Sequence, residues 1–512
     1  MKRFAKGFAA ASFLAASISL FAAGSGDAKE YSLTFDPNAY TVKTATVGDT
    51  TFSYRAYEGI VYVKHPVDLQ YQTLNIYIRT EYFERKAVNG YNADTAPIFF
   101  PNAVGGYMPG AAAKPGEGMD RNNNTLLKAV AQGLVVAAPG ARGRTLKGSD
   151  GNYTGKAPAA IVDLKAAVRY LRYNDKVMPG NAERIVSDGT SAGGALSVLL
   201  GATGDASDYE PYLKALGAAD VRDDIWAVSA YCPITNLDNA DTAYEWLLGT
   251  LKETKDNGPM GGPGGQPPAG MVPPAGGATG PWGAPQSSSG PLTADQIAIS
   301  AELAAAFPAY VNSLGLKKAD GTPLTLAADG TGSFRDYIKS LLIASAQTAL
   351  QAGKDLSKLS WVTIEGNKVT DIDWAGYLVY CGRKKAAPAF DAIDNTSGEN
   401  NEFGTQAVDN QHFTAFAQAH NTASGATLAD AVLVKMMNPM GYIGQAGATT
   451  SKLWRIRHGT LDSDTANAIP TILATKLANL GFKVDFALPW DRPHSGDYDL
   501  DELFSWIKKN AK

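Results

Sequence analysis

Cysteine and histidine are both scarce in this chain of 512 residues, which holds two of the first and five of the second. Two cysteines, Cys232 and Cys381, are too few for a disulfide framework; they either pair with each other or serve as buried, small, apolar side chains. The histidines (His65, His412, His420, His458 and His494) are scattered, and no cluster of His and Cys has the spacing of a metal site, so neither metal nor organic cofactor is expected. Excess charge of one sign is also missing. A formal charge of −4 argues against nucleic acid or an anionic membrane as the main partner. Long apolar runs are absent beyond the first 28 residues, which gives no sequence-level candidate for a later membrane span.

What is present begins with the N-terminus. Lys2, Arg3 and Lys6 precede the apolar run FAAASFLAASISLFAAG, and small residues follow. Basic, apolar and small segments in that order read as a secretory signal peptide over 1–28, cleaved between Ala22 and Ala28. The run is short for a span of about 20 residues. An exported protein is therefore expected, periplasmic or secreted, monomeric and free of membrane.

The rest of the chain, with 45% hydrophobic residues, can bury a large core. Aromatic and β-branched runs between Tyr31 and Phe83 predict antiparallel strands. APIFF, GLVVAAP, ERIVSD and WAVSAYCPI predict short buried strands. Between the second and third of these, APAAIVDLKAAVRYLRY carries Ile161, Leu164, Val168 and Leu171 at helical spacing. Strands alternating with helices imply βαβ units and a mainly parallel sheet. The pattern then breaks. More than half of the residues from Gly258 to Pro291 are Gly or Pro, a composition that predicts a disordered loop. Helical patterns flank it, and strand signals return only in KLWRIRHG and KVDFALPW, before the amphipathic LDELFSWIKKN. The expected organisation is an α/β core in two parts, 29–235 and 448–512, around an inserted, mainly helical lid over 236–447.

Within the core, Gly189-Thr190-Ser191-Ala192-Gly193 matches G-x-S-x-G, the pattern of a nucleophile elbow. In a chain with 53 glycines the pentapeptide says little by itself. Its context says more: a strand precedes it and a helical run follows, so the serine would sit on a sharp turn at a helix N-terminus. The alternative, a Gly-rich turn without chemistry, has no need of a base downstream. His494 supplies one, because it follows the last strand and precedes the last helix, where the α/β-hydrolase chain order Ser, acid, His places it. His458 ends a strand and reads as a satisfied structural histidine. Asp462 and Asp464 both lie beyond the strand KLWRIRH; Asp462, nearer the strand end, is the better acid for orienting an imidazole. The backbone N–H of Ala192 and one near Gly105, in NAVGGY, are the candidate oxyanion donors. These parts predict a serine hydrolase.

Longer stretches carry a more specific likeness. GTSAGGALSVLLGATG, AYCPITNLDNADTAYEW, LWRIRHGTLDSDT and FALPWDRPHSGDYDL resemble the bacterial tannases, α/β hydrolases with a large inserted lid. The resemblance covers most of the chain and implies Ser191, Asp462 and His494 as the triad. It also implies that Lys385, Glu399 and Asp464 bind the galloyl ring, with Lys384 as the alternative should the match slip by one residue. Carboxylates accept hydrogen bonds from adjacent phenol hydroxyls, and a pocket built for such hydroxyls rejects rings lacking them. The expected function is hydrolysis of galloyl and related phenolic esters through an acyl-enzyme, with a small-molecule phenolic ester as the partner. A feruloyl or general carboxylic esterase on the same scaffold is the nearest rival, and a catalytically dead hydrolase fold used for binding is the rival from another class.

Overall fold

The computed structural model describes residues 29–117, 120, 124–255 and 289–511. Its centre is a nine-stranded sheet built from β1 (Thr41–Val47), β2 (Thr50–Val61), β3 (Thr73–Arg79), β4 (Pro97–Pro101), β5 (Val135–Pro139), β6 (Asn181–Thr190), β7 (Ala227–Tyr231), β12 (Leu453–Arg457) and β13 (Lys483–Ala487). Their order is β1-β2-β3-β5-β4-β6-β7-β12-β13. β1, β2 and β3 run antiparallel, as the aromatic and β-branched alternation predicts, and the turn between β1 and β2 closes on Gly48 at φ 57°. The six strands from β5 to β13 are parallel to one another.

The parallel strands need cover on both faces, which explains their near-continuous apolar character. Ile98, Phe99, Phe100, Val135, Val136, Ile185, Val186, Val228, Trp454 and Ile456 are all buried. Ala159–Tyr173 and Ala192–Ala202 are the covering helices after β5 and β6, and both are almost wholly buried. Leu500–Asn510 closes the fold with one apolar face: Leu503, Phe504 and Ile507 are buried, and Phe504 meets Phe99 of β4 at 5.7 Å between ring centroids. This is the α/β-hydrolase arrangement expected from the sequence.

Between β7 and β12 the described residues add no strand to this sheet. Its described part holds helices Ala240–Leu248, Ala294–Ser313, Ser333–Gln351, Trp374–Cys381 and Gly398–Glu402. It also holds two small ladders, β8 (Glu253–Thr254) with β9 (Gly290–Pro291) and β10 (Val362–Glu365) with β11 (Lys368–Ile372). Trp246 gathers Phe307, Phe334 and Trp374 around it, at 5.1, 6.0 and 6.1 Å between centroids. Phe307 and Phe334 are buried in the same contiguous apolar cluster as the sheet, and the partly buried Trp246 and Trp374 pack against it. The expected signal peptide lies outside the described residues, as does most of the Gly/Pro-rich stretch; its last residues, Gly290 and Pro291, form β9. Among the described residues no helix is long and apolar enough to cross a membrane.

Candidate active site

β6 ends at Thr190 and a helix begins at Ala192, so Ser191 alone makes the turn. It does so at φ 60°, ψ −122°, a conformation that costs a non-glycine residue about 1–3 kcal/mol and persists only where the surroundings impose it. They do: Ser191 N donates to Tyr231 O at 3.0 Å, and Ser191 O accepts from Ala195 N at 2.9 Å and Ile234 N at 3.3 Å. The strain therefore sits on the serine, and the neighbouring glycines serve a different need. A Cβ on Gly189 would collide with the carbonyl of Gly193. One on Gly193 would meet Asn102 Oδ1 and Val104 O at 2.7 Å, and one on Gly194 would meet Tyr231 O at 2.6 Å. They are glycines because there is no room.

His494 and Asp462 come from the loops after β13 and β12. The parallel pairing of these strands continues into the loops through His458 N to Ala487 O (3.2 Å), Thr460 N to Pro489 O (3.0 Å) and Leu461 N to Arg492 O (3.0 Å). This zipper brings His494 Nδ1 to 2.8 Å from Asp462 Oδ2. Asp462 Oδ1 accepts the backbone N–H of Asp464 at 3.0 Å. All three residues are nearly inaccessible: Ser191, Asp462 and His494 are 6%, 2% and 5% exposed.

The charges of the pair reinforce each other. Burial pushes Asp462 up, but His494 and His458 beside it, with the hydrogen bonds from His494 and the Asp464 N–H, hold it below the usual carboxylate range. Burial pushes His494 down, and the Asp462 carboxylate overrides this and raises it well above the ordinary imidazole value. The arrangement stabilises an imidazolium, the state a general base passes through.

Ala192 is the first residue of its helix, so its N–H has no acceptor within the helix. The loop carrying Gly105 is fixed against this helix by Asn102, whose Nδ2 donates to Asp188 O (3.1 Å), Gly193 O (3.0 Å) and Ser197 Oγ (3.1 Å). Arg144 ties the far side of the loop to the insertion: Nε donates to Gly106 O at 2.8 Å and Nη1 to Asn401 Oδ1 at 3.0 Å.

The segment between β7 and β12 reaches the loop of Asp462 directly. Tyr377 Oη donates to Thr460 O at 3.1 Å, and Tyr244 Oη donates to Ser463 O at 2.9 Å while accepting the N–H groups of Lys384 and Lys385. Arg383 is pinned by a fully buried bidentate pair with Glu245, at 2.8 and 2.6 Å. With the backbone so held, Lys384 Nζ lies 2.8 Å from Asp464 Oδ2, whereas Lys385 Nζ lies over the Phe390 ring, 4.0 Å from its centroid. Glu399 sits in the first turn of Gly398–Glu402, the helix that Arg144 grips through Asn401.

Sequence reasoning overlooked several neighbours. The two cysteines are free and buried, and both touch the site: Cys232 Sγ is 3.9 Å from His494 Nε2, and Cys381 Sγ donates to Asp462 O at 3.7 Å. His458, read as a satisfied structural histidine, has neither ring nitrogen hydrogen-bonded among the described residues; its Nδ1 stands 3.6 Å from Asp462 Oδ2. Glu402 is fully buried with both carboxylate oxygens unpartnered among the described residues, and burial pushes it up to about 8 against the pull of Lys156 and Arg144. Cys232 was the findable one, since it follows a parallel strand beside β6 and ligand sites form at the carboxyl ends of such strands.

Comparison with known proteins adds a lineage. The family profile BD-FAE matches residues 105–262. No curated protein matches the chain. Among solved structures, tannin acyl hydrolase from Lactobacillus plantarum in its native form is 45% identical, with a TM-score of 0.86 over 94% of this chain and 99% of that one. A tannin acyl hydrolase in complex with ethyl gallate is 46% identical over the same shares, again with a TM-score of 0.86. Fusobacterium nucleatum tannase is 48% identical over 94% of this chain and all of its own, with a TM-score of 0.86.

Proposed function

Because the chain belongs to the tannin acyl hydrolase family, we propose that it is an exported serine esterase that hydrolyses galloyl esters. Ser191 Oγ attacks the ester carbonyl while His494 Nε2 takes its proton, and Asp462 holds the imidazole through Nδ1. The carbonyl oxygen, now negative, is stabilised by the N–H groups of Ala192 and Gly105. Collapse expels the alcohol, which leaves with the proton from His494, and the galloyl group stays on Ser191 as an ester. Water, deprotonated by His494, repeats the attack and releases gallate. The observation that carries this reading is the 2.8 Å bond from His494 Nδ1 to Asp462 Oδ2, beside a serine held at positive φ on an elbow with no room for a Cβ around it.

The ring would be held by Asp464, Glu399 and a lysine from the insertion, residues 236–447 acting as a lid between core segments 29–235 and 448–512. Lys385 is the lysine implied by the resemblance. Lys384 competes for the role because it already faces Asp464. A feruloyl or general carboxylic esterase is the second reading, because the BD-FAE match takes in Gly105 and the elbow but none of the ring-binding candidates and so supports the esterase scaffold without the ring site.

The test compares kcat/KM on methyl gallate, methyl protocatechuate and methyl ferulate, with Ser191→Ala as control. Gallate and protocatechuate turnover with ferulate spared by roughly 100-fold, the discrimination that hydroxyl-pairing pockets reach, fits the first reading. Preference for ferulate would leave Ser191 in place and remove the ring-binding roles. Turnover that survives Ser191→Ala would end both.

A further inference from the structure

Among the described residues, a free thiol beside His494 takes no part in the esterase chemistry. Cys232, at the end of β7, points its thiol at His494 Nε2 from 3.9 Å and also reaches Ser495 O at 3.5 Å. A ligand atom from each of Cys232, His494 and Asp462 lies within 4.8 Å of the others. We propose that Cys232 Sγ and His494 Nε2 form a site for a thiophilic divalent cation such as Zn2+, and that its occupancy switches the esterase off.

The distance suits the ion. A zinc ion about 2.3 Å from sulfur and about 2.05 Å from nitrogen holds those two donors about 3.5 Å apart at a tetrahedral angle and about 4.3 Å apart when linear. The observed 3.9 Å falls between. The ligand types also match, thiolate and imidazole being the pair such borderline-soft cations select over carboxylate or water. The surroundings are already those of a metal-bound histidine: Nδ1 is held by a carboxylate at 2.8 Å, which fixes the tautomer and turns Nε2 toward the ion. Binding is an exchange of cation for proton, with the thiol releasing one H+ as the metal–sulfur bond forms. An ion so placed occupies the lone pair that must receive the Ser191 proton. The site stands on its own geometry; the switching rests on the role given above to His494, so the two are read separately.

Cd2+, which binds the same donors and gives an ultraviolet thiolate-to-metal charge-transfer band, is titrated into the full protein, Cys232→Ser, Cys381→Ser and His494→Ala. Expected is one equivalent with the band in the wild type and in Cys381→Ser, its loss in Cys232→Ser, and at least about 10-fold weaker binding in His494→Ala, the usual scale for a lost ligand contact. A band that survives Cys232→Ser, or that disappears with Cys381→Ser, overturns the site. Undiminished affinity in His494→Ala does the same even if Cys232→Ser fails to fold. Switching is read by the rate at which a fluorophosphonate, which does not chelate metal as a polyphenol would, labels Ser191. Zn2+ slows labelling at least 10-fold, a chelator restores it, and Cys232→Ser is insensitive relative to its own metal-free rate. Cadmium binding with unchanged labelling would leave the site standing and refute the switch.

Discussion

Replacing Asp464 by alanine separates ring recognition from chemistry. Asp464 stands two residues from Asp462, the acid of the proposed triad, and its backbone N–H supports Asp462 Oδ1 at 3.0 Å. That support is main chain, so it survives the substitution. What is lost is a carboxylate that can accept a phenol hydrogen bond, an interaction with a charged partner worth about 1.5–3 kcal/mol. At 1.36 kcal/mol per tenfold in rate, kcat/KM on methyl gallate should fall roughly 10- to 150-fold. On methyl benzoate, which offers no hydroxyl, it should change by less than about twofold, so selectivity collapses while the catalytic machinery stays intact. The ion pair to Lys384 goes too, and because its side chains are only 22% and 14% exposed its loss should cost at least the roughly 1 kcal/mol of an exposed pair, a change that the melting temperature reads separately from selectivity. Equal losses on the two esters would refute the reasoning, because Asp464 would then be acting through Asp462 rather than on the ring.

The raised His494 makes the acid side of the kcat/KM profile diagnostic: activity is lost as pH falls through its pKa, at a midpoint above the ordinary 6.5. Asp462→Asn removes the carboxylate that raises it, so the midpoint should drop and kcat should fall by about 10⁴-fold. Gly193→Ala drives a methyl against Asn102 Oδ1 and Val104 O; it should cost about 1–3 kcal/mol in urea denaturation and lower kcat more than it raises KM, by loosening the Gly105 loop. Arg383→Met leaves Glu245 as a buried, uncompensated charge, and the urea midpoint should fall by the equivalent of about 3–5 kcal/mol.

The sequence was most readable where local pattern and tertiary demand agree. The helix Ala159–Tyr173 falls within the run whose Ile161, Leu164, Val168 and Leu171 carry helical spacing, and the parallel strands read as the apolar runs that double-sided burial requires. The elbow was legible as a motif, although the reason for its glycines was not: positive φ belongs to Ser191, while Gly193 and Gly194 answer to atoms of residues 102, 104 and 231. Contacts across the insertion were beyond reach for the same reason. Cys381 and Asp462 are 81 residues apart, and nothing local to either announces the other. His458 misled because a histidine at a strand end usually finds partners, whereas here both nitrogens face an interior with none at hydrogen-bond distance.

The position of the insertion has a consequence for how the molecule is made. β6 and β7 leave the ribosome first, but β12 and β13 follow only after residues 232–452 have been synthesised, and described residues of that stretch, Phe307 and Phe334 among them, share the sheet's apolar cluster. A nascent chain thus displays β7 as an uncovered parallel edge while residues 232–452 are made, the kind of surface that invites wrong pairing. Closing it requires contacts of very high sequence separation, and such topologies fold slowly. Ser191 is in place long before His494, its proposed base, arrives. Activity accordingly reports the completion of folding, and any lesion that delays docking of the last sixty or so residues should show first as aggregation of a chain whose serine has nothing to activate it.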